Sequence, residues 1–314
     1  MTALSLVSDV GGTNTRVALA SDGVVDTSSI ARFRNAEHSG LDEIYRSYLS
    51  QRDVTCEGAC IAIAGPVMDG HGTLTNRGWS FDRDQLAACT GADTTALLND
   101  LQAQGHAVAG LPESSLHDVI IGPRPQEHSA VLVIGVGTGF NSVPVFRTET
   151  GVYVPPCETG HTSFPALSED DLSLSQWVAR HHGFPGVEDV LSGRGLERVY
   201  AWASGADTAL DSGAIMAAIA QGDDPVADKT ARAFCTALGR VAGDLALTHL
   251  PFGGVYLVGG MSNAFRPYLQ SHGFVDAFRA KGRFTEFMEQ FAVRVVEDDY
   301  AALTGCARRI AETL

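Results

Sequence analysis

Three short stretches place a glycine turn directly after an apolar run: Asp9-Val10-Gly11-Gly12-Thr13-Asn14, Gly135-Val136-Gly137-Thr138-Gly139 and Leu257-Val258-Gly259-Gly260. Consecutive backbone N–H groups in such a turn form a concave anion site, and the missing Cβ lets phosphate oxygens approach closely. Two such turns facing each other would clamp a triphosphate. Asp9 adds a carboxylate to the first turn, suited to holding Mg2+ on the β- and γ-phosphates through water, because Mg2+ favours few direct protein ligands. Lysine usage narrows the chemistry further. Lys229 and Lys281 are the only two lysines, and neither sits in a GxxxxGK[ST] or VAIK-like setting. A phosphate site here is therefore neither a P-loop nor a protein-kinase site, since both place a lysine on the phosphates, and backbone amides must do that work. A Rossmann reading fits less well, because Gly135, Gly137 and Gly139 are spaced GxGxG and the residues after them read as strand.

The elements that must position these turns follow from hydrophobic spacing. Residues 3–10 and 15–21 read as two strands joined by the first turn, a hairpin in which Gly11 and Gly12 can adopt positive φ. Two further apolar runs, 58–67 and 94–100, end in polar residues, while DEIYRSYLS and DRDQLAACT between them carry helical spacing. Strands alternating with helices indicate an α/β domain. Asn99-Asp100 closes the run TTALL, where a strand ends and a side chain projects; read alone, the pair reads better as a turn-forming Asx pair. A second series opens at 129–146, and laying Asp9-Val10-Gly11 over Gly135-Val136-Gly137 suggests an internal duplication. Helical periodicity returns in LSLSQWVARHH, in residues 227–250 and in AALTGCARRIAETL. The Gly/Pro-rich stretches near 110–126 and 183–195 read as loops or boundaries, with His181 and His182 opening the second as loop residues.

Composition bounds the function class. A chain of 314 residues exceeds the size at which one core usually stops growing, so two domains or lobes are expected. The net charge of -15 argues against general binding to nucleic acid or an anionic membrane. With no apolar run of membrane-spanning length and no basic leader, the cytoplasm is the expected location. The six cysteines lack CxxC spacing and read as reduced thiols, and the ten histidines contain no HExxH.

The blocks DVGGTNTR (9–16), IAIAGPV (61–67), TNRGW (75–79), LLND (97–100), GVGTG (135–139), CETGH (157–161), VEDVLSG (187–193) and VYLVGGMS (255–262) occur in one order across nearly the whole chain. In that order the sequence resembles the bacterial ATP-dependent glucokinases of the hexokinase, actin-like superfamily. The resemblance implies a two-lobed, actin-like (ribonuclease H-like) α/β ATPase fold with the active site in the cleft between lobes. The small lobe would comprise residues 1–110 plus the final helix, 297–314, and the large lobe residues 111–296. The lobes would close on sugar to exclude water. A neighbouring family of sugar kinases and repressors usually carries a cysteine-rich zinc motif after its GH histidine. Residues 162–180 contain no cysteine, so that branch fits less well.

The resemblance also implies roles. Asp100 would be the general base that aims and deprotonates the 6-hydroxyl of glucose, since a carboxylate within reach can accept an alcohol proton during transfer. Asn99, Glu158, His161 and Glu188, together with Gly139, would bind the sugar, because carboxylate, amide and imidazole suit a ring of vicinal alcohols. Asp9, Gly11, Gly12, Thr13, Asn14, Thr138, Gly139, Gly259 and Gly260 would bind ATP, with Mg2+ on Asp9 through water. Two departures stand out: the family usually continues its second phosphate turn as GTGLG where this chain has GTGFN, and it carries GEGGH where this chain has CETGH. Phe140, Asn141, Cys157 and Thr159 therefore add bulk beside the site. The implied reaction is the ATP-dependent 6-phosphorylation of glucose at the entry to glycolysis, and the family is commonly a homodimer. A kinase for another hexose or amino sugar, or a non-catalytic actin-like or regulatory protein, stays open at this point.

Overall fold

The structure, a computed structural model, describes residues 3–74, 78–149, 151–205 and 210–314. Of the TNRGW block, Thr75, Asn76 and Arg77 lie outside the described residues. The chain forms two compact units: Met1–Pro112 with Thr148–Pro156 and Asp298–Leu314, and Glu113–Arg147 with Cys157–Glu297.

The main sheet of the first unit runs Val24–Val25, Asn14–Ser21, Leu4–Val10, Gly58–Ile63, Thr94–Asn99, with Ala31–Arg34 also pairing Asn14–Ser21, beside a small three-stranded sheet of Val67–Met68, His71–Leu74 and Trp79–Asp82. Leu4–Val10 and Asn14–Ser21 form the antiparallel hairpin, and the last three strands of the main sheet run parallel. Alternation along each strand sends side chains to opposite faces. Leu6, Val10, Val17, Ile61 and Leu97 pack on one face with Leu41, Ile44, Tyr45 and Tyr48 of the helix Leu41–Ser50. Val7, Ala18, Cys60, Ala62 and Ala96 face the C-terminal helix Ala301–Ala311. Burial on both faces is what a parallel sheet requires, and it explains why these strands read as nearly continuous apolar runs.

The second unit repeats the plan. Its sheet runs Leu116–Ile120, Val293–Val296, Val255–Val258, Val131–Val136, Phe140–Thr148. Val131–Val136 pairs antiparallel with Phe140–Thr148 and parallel with Val255–Val258, which in turn pairs parallel with Val293–Val296. Each unit thus contains a glycine-turn hairpin followed by two parallel strands in the same sheet order, which is the architecture expected of the duplication. The core of the second unit gathers around Pro225–His249, a 25-residue helix with Asp224 as N-cap and Pro225 in its first turn.

Two local expectations are corrected. His181 and His182 are not loop residues; they end the helix Glu169–His182, which stops where Gly183 takes φ 91. The His181 ring stacks on Trp177 one turn back. Gly11 does not use a positive φ, and a Cβ there would make only ordinary contact, 3.4 Å from the Asn14 carbonyl. All six cysteines carry free thiols, five of them buried. Among the described residues no helix is long and apolar enough to cross a membrane.

Candidate active site

In the first unit the candidate side chains sit at the C-terminal ends of parallel strands, where open α/β sheets bind ligands. Asp9 pairs in register with Arg16 across the hairpin and with Ala62 on the other side. Arg16 donates to the Asp9 carboxylate at 3.3 Å and to the Asp299 carbonyl at 3.1 Å. The Asp9 side chain is 23% exposed. Burial pushes its carboxyl above the usual carboxylate range, and Arg16 pulls it back part of the way.

The turn after Asp9 is closed by the Gly11 N–H donating to the Asn14 carbonyl at 3.0 Å. Asn35, fully buried, staples it from outside. Its amide donates to the Gly11 carbonyl at 2.7 Å and accepts from the Thr15 hydroxyl at 2.8 Å, while its backbone N–H donates to the Thr13 carbonyl at 2.9 Å. Sequence reasoning missed Asn35, because nothing in FRNAEH marks a partner for a turn two dozen residues earlier.

Asn99 is the N-cap of the helix Asp100–Ala107, accepting from the Leu101 N–H and completing a capping box with Gln102. Its amide also donates to the Gly65 carbonyl at 3.0 Å, tying together the ends of two parallel strands. Its oxygen is taken up by the cap, accepting from the backbone at Leu101 and Gln102, and the NH2 has a second N–H to donate. Asp100 opens the helix with an exposed carboxylate that accepts from the Leu101 N–H at 2.8 Å. The first helical turn favours negative charge at this position.

The second unit brings its candidates together through backbone. Glu188, 26% exposed at its side chain, accepts from the Phe140 N–H at 2.9 Å, immediately after the Gly137-Thr138-Gly139 turn. Arg194 lies 3.7 Å from its other oxygen. The Glu188 N–H donates to the Gly160 carbonyl at 2.9 Å, so the CETGH block is stitched to the Glu188 segment. A Cβ on Gly139 would stand 2.5 Å from the Glu188 carboxylate, which shows how closely turn and acid approach. The Gly193 N–H, at the start of the helix Gly193–Ser204, donates to the Gly137 carbonyl at 2.8 Å. Gly259 takes φ 96, and a Cβ there would meet the Val136 carbonyl at 2.6 Å. The second and third glycine turns therefore pack against each other.

Glu158 and His161 are exposed; Glu158 precedes a short 3-10 turn, Thr159–His161, and His161 ends it. The structure thus groups Asp9 with the first turn and Asn99 with Asp100 in one unit. In the other it groups Thr138, Gly139, Gly259, Gly260, Glu158, His161 and Glu188. Among the described residues, no group of three or more His, Cys, Asp or Glu could hold a metal ion.

The family model described as Glucokinase matches residues 6–313. The glucokinase of Erwinia tasmaniensis is 31% identical over 100% of this chain and 99% of its own length. That of Marinobacter nauticus is 33% identical over 98% of this chain and 97% of its own. The crystal structure of a glucokinase from an Antarctic psychrotroph superposes with a TM-score of 0.88 at 30% identity, covering 99% of both chains. The two matching sheets, their glycine-turn hairpins and these likenesses agree on an actin-like α/β ATPase fold. The chain belongs to the glucokinase family and is a hexose kinase.

Proposed function

We propose that the chain transfers the γ-phosphoryl group of ATP to the 6-hydroxyl of D-glucose, releasing glucose 6-phosphate and ADP. The observation that carries this reading is Asp100, an exposed carboxylate held at the end of a buried strand by the Asn99 cap. A primary alcohol is a weak nucleophile, and a fixed carboxylate can orient it and accept its proton as the new P–O bond forms. The transition state of phosphoryl transfer is loose, so placement of the alcohol and neutralisation of phosphate charge contribute more than the base does.

In this reading Asn99, Glu158, His161 and Glu188 bind the sugar hydroxyls. Glu188 has one oxygen engaged by the Phe140 N–H, which fixes its rotamer and leaves acceptor capacity for a hydroxyl. The turns at Gly11-Gly12 and Gly259-Gly260, with the donors of Thr13, Asn14, Thr138 and Gly139, hold the phosphates. The donor set fits Mg2+: Asp9 offers one hard, partly desolvated carboxylate beside a phosphate turn, and an ion held through its water shell needs little more from the protein. When bound, Mg2+ supplies charge neutralisation on the phosphates. Asp9 keeps its orientation through Arg16.

A coupled assay of ADP release over a hexose panel tests the proposal, with identification of the sugar phosphate formed. Glucose-dependent turnover that is lost in Asp100→Asn supports it. ADP release indifferent to sugar, or full activity in that variant, would overturn it.

A further inference from the structure

The two places where the chain departs from the pattern it resembles, GTGFN and CETGH, are bonded to each other. Asn141 Nδ2 donates to the Cys157 carbonyl at 2.6 Å, and Asn141 Oδ1 accepts from the Thr159 N–H at 3.0 Å. These partners are the residues immediately before and after Glu158. The donor set fixes the amide's orientation, since reversing it would set oxygen against a carbonyl and NH2 against an N–H. Thr159 Oγ1 completes the clamp, 3.2 Å from Asn141 Oδ1 and 3.0 Å from the hydroxyl of the fully buried Ser142. Asn141 Nδ2 also lies 3.5 Å from Glu158 Oε2. One planar group on a sheet strand thus holds the backbone on both sides of an exposed acid that has no secondary structure of its own before it.

We infer that Asn141 is a positioning residue for sugar recognition, acting through Glu158, and that Thr159 is its hydrogen-bonding partner in that role. The inference rests on the reading of Glu158 as a hydroxyl-binding residue. A site that hydrogen-bonds an alcohol discriminates against the analogue lacking it only while its own polar groups are held in place. Without the clamp, Glu158 samples other directions and the penalty for a missing hydroxyl shrinks. The charge of the site stays as it was.

The test is a panel of glucose and its monodeoxy analogues at positions 1 to 4, assayed with wild type, Glu158→Gln, Asn141→Ala, Thr159→Val and Thr159→Ser. Glu158→Gln identifies the position at which this acid discriminates. Asn141→Ala is expected to lower the glucose-to-deoxyglucose ratio of kcat/KM at that same position by about tenfold or more, leaving the other ratios and the KM for ATP within about twofold. Thr159→Val should give the same fingerprint more weakly, and Thr159→Ser should restore it. Thr159→Val removes only a hydroxyl, so it tests the clamp even where Asn141→Ala lowers the yield of folded protein. Equal losses for every sugar would mean a merely structural role and would overturn the inference. If Glu158→Gln changes one ratio and neither Asn141→Ala nor Thr159→Val changes it, this inference falls alone. If Glu158→Gln changes no ratio, the sugar-binding reading of Glu158 falls and takes this inference with it.

Discussion

The two glycine-turn hairpins share a topology and differ in where they keep their charge. In the first, an acid and a base face each other in register, Asp9 against Arg16. At the equivalent register of the second stand Gly135 and Asn141. The first hairpin carries its carboxylate on the strand itself, whereas the second borrows one from Glu188, held by the Phe140 N–H. A strand-borne acid is fixed by the sheet, and a loop-borne acid must be braced by hydrogen bonds. On the proposed function, the difference divides the acids by task, with the general base and the metal-holding carboxylate in the first unit and the sugar-binding carboxylates in the second.

Kinetics would break that division most directly. Asp100→Asn is expected to lower kcat by about 10²- to 10⁴-fold with little change in the KM for glucose. Glu188→Gln keeps an oxygen for the Phe140 N–H and should act mainly on KM, raising it by roughly tenfold to a hundredfold. Steady-state measurement of both variants decides it. A kcat defect in Glu188→Gln as large as that in Asp100→Asn would erase the distinction.

The glycines sharpen the comparison at the next level. Gly259 needs its positive φ and has the Val136 carbonyl where a Cβ would go, so Gly259→Ala should destabilise the fold by about 3 kcal/mol. Gly11 has neither constraint, and Gly11→Ala should cost less than about 1 kcal/mol. On the proposed function, its effect should appear instead as a raised KM for ATP, because a methyl group then crowds the turn assigned to the phosphates. Urea denaturation separates the two, and equal losses of stability would show that the turns are under the same constraint.

Much of this was legible in the sequence, for reasons that can be named. Both hairpins showed because apolar runs broken by Gly-Gly or GxG have few other solutions, and the parallel strands showed because burial on both faces leaves few polar residues in them. The candidate acids could be named from their blocks. Their bracing could not, since Glu188 meets Phe140 N–H, and Asn35 meets Gly11, across sequence separations that no local pattern encodes. His181 and His182 were misplaced because the glycine after them was taken to start the loop early. In the structure it only terminates the helix, and Trp177 holds the His181 ring in place.

The helix that begins at Asp100 also carries a buried histidine, and this sets a pH test on the first unit. His106 is 4% exposed, its Nδ1 has no hydrogen-bond partner among the described residues, and burial holds its pKa down to about 4. The folded state therefore keeps it neutral while the unfolded chain takes up a proton below about 6.5. Stability is full above that pH and falls progressively toward 4, by on the order of 2 kcal/mol at pH 5. His106→Gln should flatten this acid limb in thermal melts recorded from pH 7 to 4.5. A wild-type Tm that does not fall over that range beyond the loss seen in the variant would show that His106 is not responsible.

The smallest expected effect concerns the ion pair that marks the first hairpin as different from the second. Burial already holds the Asp9 carboxyl above its ordinary range, and Arg16 is the cation that opposes this. Removing the guanidinium in Arg16→Gln should raise the Asp9 pKa further. The carboxylate is then lost at a higher pH on acidification, and the acid limb of kcat/KM for ATP moves upward. Both side chains are about a quarter to a third exposed, at 31% and 23%, so solvent screening should keep the displacement small. Arg16→Lys keeps the charge while losing the planar guanidinium whose Nη1 reaches both the Asp9 carboxylate and the Asp299 carbonyl, and it should return the limb most of the way. If the limb stays in place in Arg16→Gln while the activity simply scales down, Arg16 supports the strand and the C-terminal segment without tuning Asp9. The charge asymmetry of the two hairpins would then be a matter of packing.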